Sequence, residues 1–295
     1  MIAFQFCFNS LNRLKICYNL NMRNKSMSKG NANKETLADR MKRYEAVTTS
    51  YSLIERLPVY ARIDGRAFHT FTRGLDKPFD MDMVDVMKKT CAMLVEKTNA
   101  KIGYVQSDEI SLCWEDTSKV PFETRLFKLE SVLAAMATSF FTLFGLETKL
   151  ADRIKKMTPH FDCRVCQLPN MSELANMFLF REMDCQKNSI TLVALSKFSH
   201  ARLQNKNGLE KIKMLIDEFE IDYMKDIPED LRLGSYFRRE LYNKVLTTEE
   251  ISKIPEHNRK FDDNGNIVAV RSHIVQFYLG KPLLEIEDKI LALFS

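Results

Sequence analysis

The 295-residue chain is 45% hydrophobic with 9 glycines and 8 prolines, enough apolar content for a sizeable core and too little Gly and Pro for a collagen-like or wholly disordered architecture. Its 7 cysteines (Cys7, Cys17, Cys91, Cys113, Cys163, Cys166, Cys185) are odd in number and widely scattered, which excludes a dense disulfide framework and points to a reducing compartment. The net charge of +5 sits in the tail: residues 1–34 hold six basic groups and no acid, leaving 38 basic against 39 acidic groups in 35–295.

Any nucleic-acid contact must therefore use local patches, such as Lys155 with Lys156, residues 202–206, or Arg238 with Arg239. The longest apolar runs, 131–146 and the stretch from Phe178, are interrupted by Ser, Thr or charge and fall short of about 18–20 residues, so no membrane span is expected.

In chain order, residues 1–33 come first, with Phe4, Phe8, Leu11, Leu14 and Tyr18 on one helical face and scattered Arg and Lys. Two readings stay open: an organellar, hence mitochondrial, targeting segment, or a disordered extension or upstream start with Met27 as the first residue of a cytoplasmic protein. Leu37, Met41, Tyr44 and Val47 predict an amphipathic helix, and Val59-Tyr60-Ala61-Arg62-Ile63 a strand running into Asp64-Gly65. Asp80 caps a predicted helix ending near Asn99. Residues 101–106 and 110–114 then read as a hairpin with Ser107-Asp108-Glu109 at its tip, 126–146 as a buried helix, and 160–168 as a strand. This order predicts an α+β fold, a ferredoxin-like (split βαβ) antiparallel sheet covered on one face by two helices. Beyond Pro169, residues 174–198 and 209–219 read as helices, and 236–242 with 267–277 as a small β-hairpin around the turn signal Asp262-Asp263-Asn264-Gly265-Asn266.

Two acidic sites stand out. Asp64 ends a buried strand before Gly65, and Asp108-Glu109 tips the adjacent hairpin, so neighbouring strands bring their carboxylates together. An Asp-Gly after a strand is by itself an ordinary turn signal. Two acids meeting at one end of a sheet instead suit a hard divalent cation, and Mg²⁺ is usually held by one or two carboxylates with substrate phosphates. Gly65 lets backbone approach a ligand closely, and Arg66, His69 and Lys77 suit a triphosphate. Cys163 and Cys166 point to opposite faces of their strand and have no second Cys pair, which argues against zinc. The five histidines accompany no recognisable nucleophile signature, and no Walker or dinucleotide-binding glycine motif occurs.

Four segments, Arg62-Ile63-Asp64-Gly65-Arg66-Ala67-Phe68-His69, Leu75-Asp76-Lys77-Pro78-Phe79-Asp80, Tyr104-Val105-Gln106-Ser107-Asp108-Glu109-Ile110-Ser111 and Phe161-Asp162-Cys163-Arg164-Val165, together resemble the tRNA(His) guanylyltransferase family in order and spacing. The likeness runs over about residues 37–239. It implies a palm-type catalytic core at 34–168, and at 169–295 a helical and β extension that completes the catalytic domain and contacts tRNA. It further implies nucleotide addition to the tRNA 5′ end in the 3′-to-5′ direction, with two Mg²⁺ ions, ATP and/or GTP as substrates, tRNA as partner, and a homotetramer. By the same resemblance Asp64, Asp108 and Glu109 are catalytic, and Asp64, the Gly65 carbonyl and Asp108 are metal ligands. Arg62, Gly65, Arg66, Ala67, Phe68, His69, Lys77, Ser107, Asp108, Arg164 and Asn188 bind nucleotide, with Asp162 and Asp184 near the nucleotide and tRNA-end sites.

After Met183-Asp184-Cys185 the family's eukaryotic members carry His-Ile-Asn-Asn-Leu-Tyr-Asn, whereas this chain reads Gln186-Lys187-Asn188-Ser189-Ile190. That departure resembles the bacterial and archaeal-type branch, and implies template-dependent repair or editing of 5′-truncated tRNA, mitochondrial if the tail is a targeting segment. Non-templated guanylate addition to tRNA(His), a nucleotidyl cyclase and an inactive tRNA-binding homologue are the alternatives.

Overall fold

The computed structural model describes residues 35–280 and 285–295; the segment expected to target or extend the chain, 1–33, lies outside them. The chain divides into two units, 1–50 and 51–295. In the first, α1 (Leu37–Thr49) is capped by Thr36, whose hydroxyl accepts the Asp39 N–H.

The second unit begins with β1 (Val59–Gly65), the short α2 (Phe68–Phe71) and α3 (Met81–Thr98), which starts where Asp80 accepts the Met83 N–H and ends at a left-handed Asn99. β2 (Ile102–Gln106) and β3 (Glu109–Trp114) follow, then α4 (Leu126–Gly145), α5 (Ala151–Met157) and β4 (Phe161–Gln167). The long α6 (Met171–Leu195) leads through α7 (His200–Leu203), α8 (Gly208–Phe219), α9 (Tyr223–Asp226) and α10 (Glu229–Leu233) to β5 (Ser235–Val245). The chain closes with α11 (Thr248–Ser252), β6 (Lys260–Phe261), β7 (Ile267–Phe277) and α12 (Ile286–Phe294).

The described strands form one sheet in the order β4-β1-β3-β2-β5-β7-β6, every neighbouring pair antiparallel. β1 to β4 realise the expected split arrangement, with β1 between both partners that bear on the acidic end.

Two features differ from expectation. Both faces are covered: Val59, Ala61 and Ile63 pack with Val86, Leu94, Leu133 and Phe141 of α3 and α4, while Tyr60, Tyr104 and Tyr236 pack with Phe178 of α6 and Leu293 of α12. Burial on both sides is why every residue of β2 and β3 is inside rather than alternating. The C-terminal strands β5 and β7, moreover, pair with each other as expected but form no separate hairpin. β5 pairs with β2 and carries the sheet onward, and the Asp262–Asn266 turn closes β6 on β7, since α11 and β6 intervene after β5.

The 20-residue α4 is long and apolar enough to cross a membrane by length and composition, which corrects the expectation that no run reaches that size. Here its Leu129, Leu133, Ala137 and Phe141, four residues apart, line up as one stripe buried in the core with α3 and β4.

Candidate functional site

The strand register builds the site. Asp64 of β1 lies opposite Glu109 of β3 on one side and Asp162 of β4 on the other, and two residues inward, on the same face, Arg62 lies between Ser111 and Arg164. A row of carboxylates thus sits beside a row holding two guanidinium groups. Asp108 joins from the hairpin tip, where a left-handed Ser107 (φ 49°) turns the chain and the Asp108 carbonyl accepts the Gly65 N–H at 3.1 Å. The tips of β1 and β3 are therefore bonded together, and the Asp64 carboxylate is near enough to raise the pKa of Asp108.

Electrostatics divide these acids into two kinds. Glu109 is buried and flanked by cations, with Arg62 Nε 3.6 Å from one carboxylate oxygen and Arg181 Nε 3.4 Å from the other. Burial nonetheless raises its pKa, both arginines oppose the rise, and Asp64 adds to it. Asp108 is also raised, first by desolvation and further by Asp64, against a 3.0 Å hydrogen bond from the Ser107 hydroxyl and the influence of His69. Asp108 has no ion pair among the described residues, whereas Asp64 reaches Arg62 at 3.8 Å.

α6 supplies the opposite wall. Arg181, Asp184, Cys185 and Asn188 follow the helical repeat along one face. Arg181 bonds Asp184 at 2.8 Å and stacks over Phe180, and the Asn188 amide lies 3.4 Å from the same Asp184 oxygen. Beyond Ser107 a small cleft opens, with about 80 Å³ of interior space, lined by apolar Phe79, Met87 and Leu192 and polar Gln106, Asn188 and Ser235. Apolar walls with a few polar groups of this kind suit a flat ring such as a base.

Of the sequence-predicted residues, the structure gathers Arg62, Asp64, Gly65, Asp108 and Glu109, with Ser107 and Asn188 on the cleft. Arg66 and His69 are exposed beside them, Arg66 bonding the His160 carbonyl through its backbone N–H, and Ala67 holds a left-handed turn (φ 57°) before α2. The Phe68 ring is 2% exposed and packs against Phe71, Phe141 and Phe161, which leaves its backbone as the part that could meet a ligand. Gly65 also acquires a different rationale, because a Cβ there would come within 2.4 Å of the Phe68 ring. Lys77 is exposed and makes no hydrogen bond or ion pair among the described residues; Asp76 and Asp80 of its loop instead share Lys149. Arg164 points outward beside Asp162, 3.8 Å away.

Sequence reasoning missed Arg181 and the Lys88–Asp230 ion pair in the cleft. Arg181 was open to discovery, since it precedes Asp184 by three residues and Asn188 by seven on what reads as one helix. Lys88 and Asp230 meet across more than a hundred residues, and no local signal links them.

Among the described residues no cluster of three or more His, Cys, Asp or Glu forms a ready-made metal cage. The donors nevertheless fit Mg²⁺, which takes one or two carboxylates and completes its shell with water and phosphate. Asp64 and Asp108 are hard oxygen donors, and the Asp108 carboxyl is raised first by burial and further by the Asp64 charge, a situation a cation relieves.

Comparison with known proteins agrees with this geometry. The tRNAHis guanylyltransferase (Thg1) family model matches residues 38–169. The tRNA(His) guanylyltransferase of Schizosaccharomyces pombe is 30% identical over 214 residues, spanning 67% of this chain and 80% of that protein. A bacterial tRNA(HIS) guanylyltransferase (Thg1)-like protein in complex with ATP is 38% identical, with a TM-score of 0.63 over 70% of this chain and 87% of its own. A bacterial Thg1-like protein in complex with GTP is 36% identical, with a TM-score of 0.56 over 70% and 86%. Sequence, fold and matched relatives coincide, and the chain belongs to the tRNA(His) guanylyltransferase family of nucleotidyltransferases.

Proposed function

We propose that this protein adds nucleotides to the 5′ end of tRNA in the 3′-to-5′ direction, as a template-dependent enzyme that repairs or edits 5′-truncated tRNA. The observation that carries the reading is the meeting of Asp64 with Asp108 and Glu109 at one end of β1 and β3, next to an open cleft. The bacterial relatives captured with ATP and with GTP support nucleoside triphosphates as its substrates.

Each part of the site has a task in this reading. The cleft between α3 and α6 takes the nucleotide, with the Ser107 hydroxyl and the Asn188 amide at its mouth as hydrogen-bonding groups. His69 and Arg66, exposed beside the carboxylates, face the phosphates. Arg62 and Arg181 keep Glu109 in place and balance its charge, so the anionic end stays ordered before substrate arrives. Asp64 and Asp108, with the Gly65 carbonyl, would hold Mg²⁺, which when bound lowers the pKa of an attacking hydroxyl and offsets charge on the departing phosphate.

The template-dependent reading rests on Gln186-Lys187-Asn188-Ser189-Ile190, where the sequence follows the bacterial and archaeal-type branch, and the mitochondrial compartment on the acid-free, basic residues 1–34. The test supplies purified protein with Mg²⁺, labelled nucleoside triphosphates and a tRNA lacking its first nucleotide. Lengthening at the 5′ end by the nucleotide complementary to the opposing strand is expected. Guanylate added only to intact tRNA(His), whatever base it faces, would replace repair with non-templated addition; cyclic nucleotide without tRNA would overturn the assignment. The native protein's location and N-terminus together test the compartment: a mitochondrial protein trimmed within 1–34 is expected, and a cytoplasmic protein beginning at Met27 would overturn it.

A further inference from the structure

The C-terminal helix has no part in the site as described, yet it ends in an unusual burial. Lys289 of α12 is 0% exposed, and its ammonium forms an ion pair with Glu182 of α6, itself 2% exposed. The Tyr236 hydroxyl of β5 donates to the same Glu182 oxygen at 2.5 Å, and the Lys289 ammonium lies 5.5 Å from the centre of the Tyr236 ring. Burial pushes the Glu182 carboxyl up and the Lys289 amine down, while each charge favours the other and the Tyr236 hydroxyl favours the carboxylate.

A buried pair of this kind contributes little net stability compared with apolar side chains of the same size, and its best attested use is to fix a register. The register here is that of α6. Arg181 and Glu182 are consecutive, and an α-helix turns about 100° per residue, so they leave the helix on adjacent faces. Arg181 goes to Glu109 at the acidic end of the sheet, and Glu182 goes to Lys289 and Tyr236. Two charged contacts at different azimuths fix both the rotation and the axial position of one helix turn.

We propose that Lys289 is a positioning residue for the site, holding Arg181 against Glu109 by fixing Glu182. This rests on the proposed 5′-addition chemistry for its functional readout but not for its structural one. The mechanism is geometric: once the Lys289 contact is gone, α6 is free to rotate by a fraction of a residue, and Arg181, gripped otherwise by Asp184 of its own helix, moves with it.

The test uses the full chain carrying Glu182→Gln with Lys289→Met. Gln retains an acceptor for Tyr236, Met matches the length of Lys, and no buried charge is left unpaired, so the unfolding midpoint is expected to stay near that of the parent. kcat for 5′ addition is expected to fall about tenfold with KM for tRNA unchanged, because the lost contact acts only on groups at the reacting end. The same pair of changes is expected to cost nothing further in an Arg181→Lys background, since both act on one contact. Amide hydrogen exchange at residues 180–185 is expected to quicken by about tenfold, reporting a looser turn. Full kcat at a retained midpoint, a loss that multiplies with Arg181→Lys, or unchanged exchange would each overturn the proposal. A parent protein that adds no nucleotide would overturn the functional reading instead, and the exchange measurement would still decide the coupling.

Discussion

Gly65→Ala tests whether the acidic end is built by packing. The added Cβ would lie 2.4, 2.6 and 2.8 Å from three atoms of the Phe68 ring. That ring cannot retreat, because Phe71, Phe141 and Phe161 surround it with centroids 5.1, 5.4 and 5.0 Å away. Forcing an extra methyl into a filled core costs about 1–3 kcal/mol, which for a unit of this size lowers the melting temperature by roughly 2–4 °C per kcal/mol. Phe68→Ala alone costs about 3–5 kcal/mol through the cavity it leaves. In the double variant the new methyl has room, so the pair should cost less than the sum by about the clash energy of 1–3 kcal/mol. Urea unfolding followed by tryptophan fluorescence measures this cleanly, since the only tryptophan, Trp114, is fully buried in β3 and donates to the Thr98 carbonyl at 3.1 Å. Because the Gly65 N–H bonds the Asp108 carbonyl, the same displacement should lower 5′-addition activity. A Gly65→Ala protein as stable as its parent, or changes additive within about 0.5 kcal/mol, would refute the packing argument. A stable but inactive Gly65→Ala would return Gly65 to the role of ligand approach.

Three further outcomes follow from the site. Asp64→Asn and Asp108→Asn should each reduce 5′ addition to background in a primer-extension-style gel assay, and either variant retaining parental activity refutes its carboxylate as a ligand. Asp108→Asn should also be the more stable protein in metal-free buffer. Burial and Asp64 raise the folded pKa of this carboxyl, so its charge costs stability above that pKa, and the cost disappears as pH falls to about 4, where the unfolded carboxyl is protonated as well; denaturation midpoints of the two proteins that converge on acidification are expected. Chelation by EDTA should abolish addition and Mg²⁺ restore it, and activity that survives chelation removes the cation from the proposal. At the start of α3, burial alone would raise the Asp80 carboxyl, but the Met83 and Asp76 N–H groups and Lys149 hold it below its usual range. Its stabilisation is therefore present above the unfolded pKa and lost as pH drops through the folded one. Asp80→Ala should cost about 1–2 kcal/mol at neutral pH, with the gap to the parent closing below about pH 4; a pH-independent gap would show that the cap does not depend on charge.

Local chemistry decided a great deal from sequence alone. Asp80 and Asn99 mark the ends of α3 because a capping carboxylate and a left-handed residue act within one helical turn. β1 to β4 and their order are legible for the same reason: alternation and turn residues report on a few neighbours, and sheet pairing in this order has few solutions. The pairing of Asp64 with Glu109 follows from that order, since antiparallel neighbours joined by a tight tip must bring their ends together.

Tertiary structure decided the rest, where the partner lies far along the chain. Phe68 reads as part of a ligand loop until the distant rings of Phe141 and Phe161 enclose it, and Gly65 reads as a ligand's neighbour until the Phe68 ring fills the space a Cβ would need. The pairing of β5 with β7 is the expected one, but the joining of β5 to the free edge of β2 is recorded by no pattern within residues 235–277. Arg181 and Lys289 carry the same lesson in charge. A buried cation is written into the sequence as an ordinary Arg or Lys, and only when the elements pack is it clear which ones have left water and which carboxylate each must face.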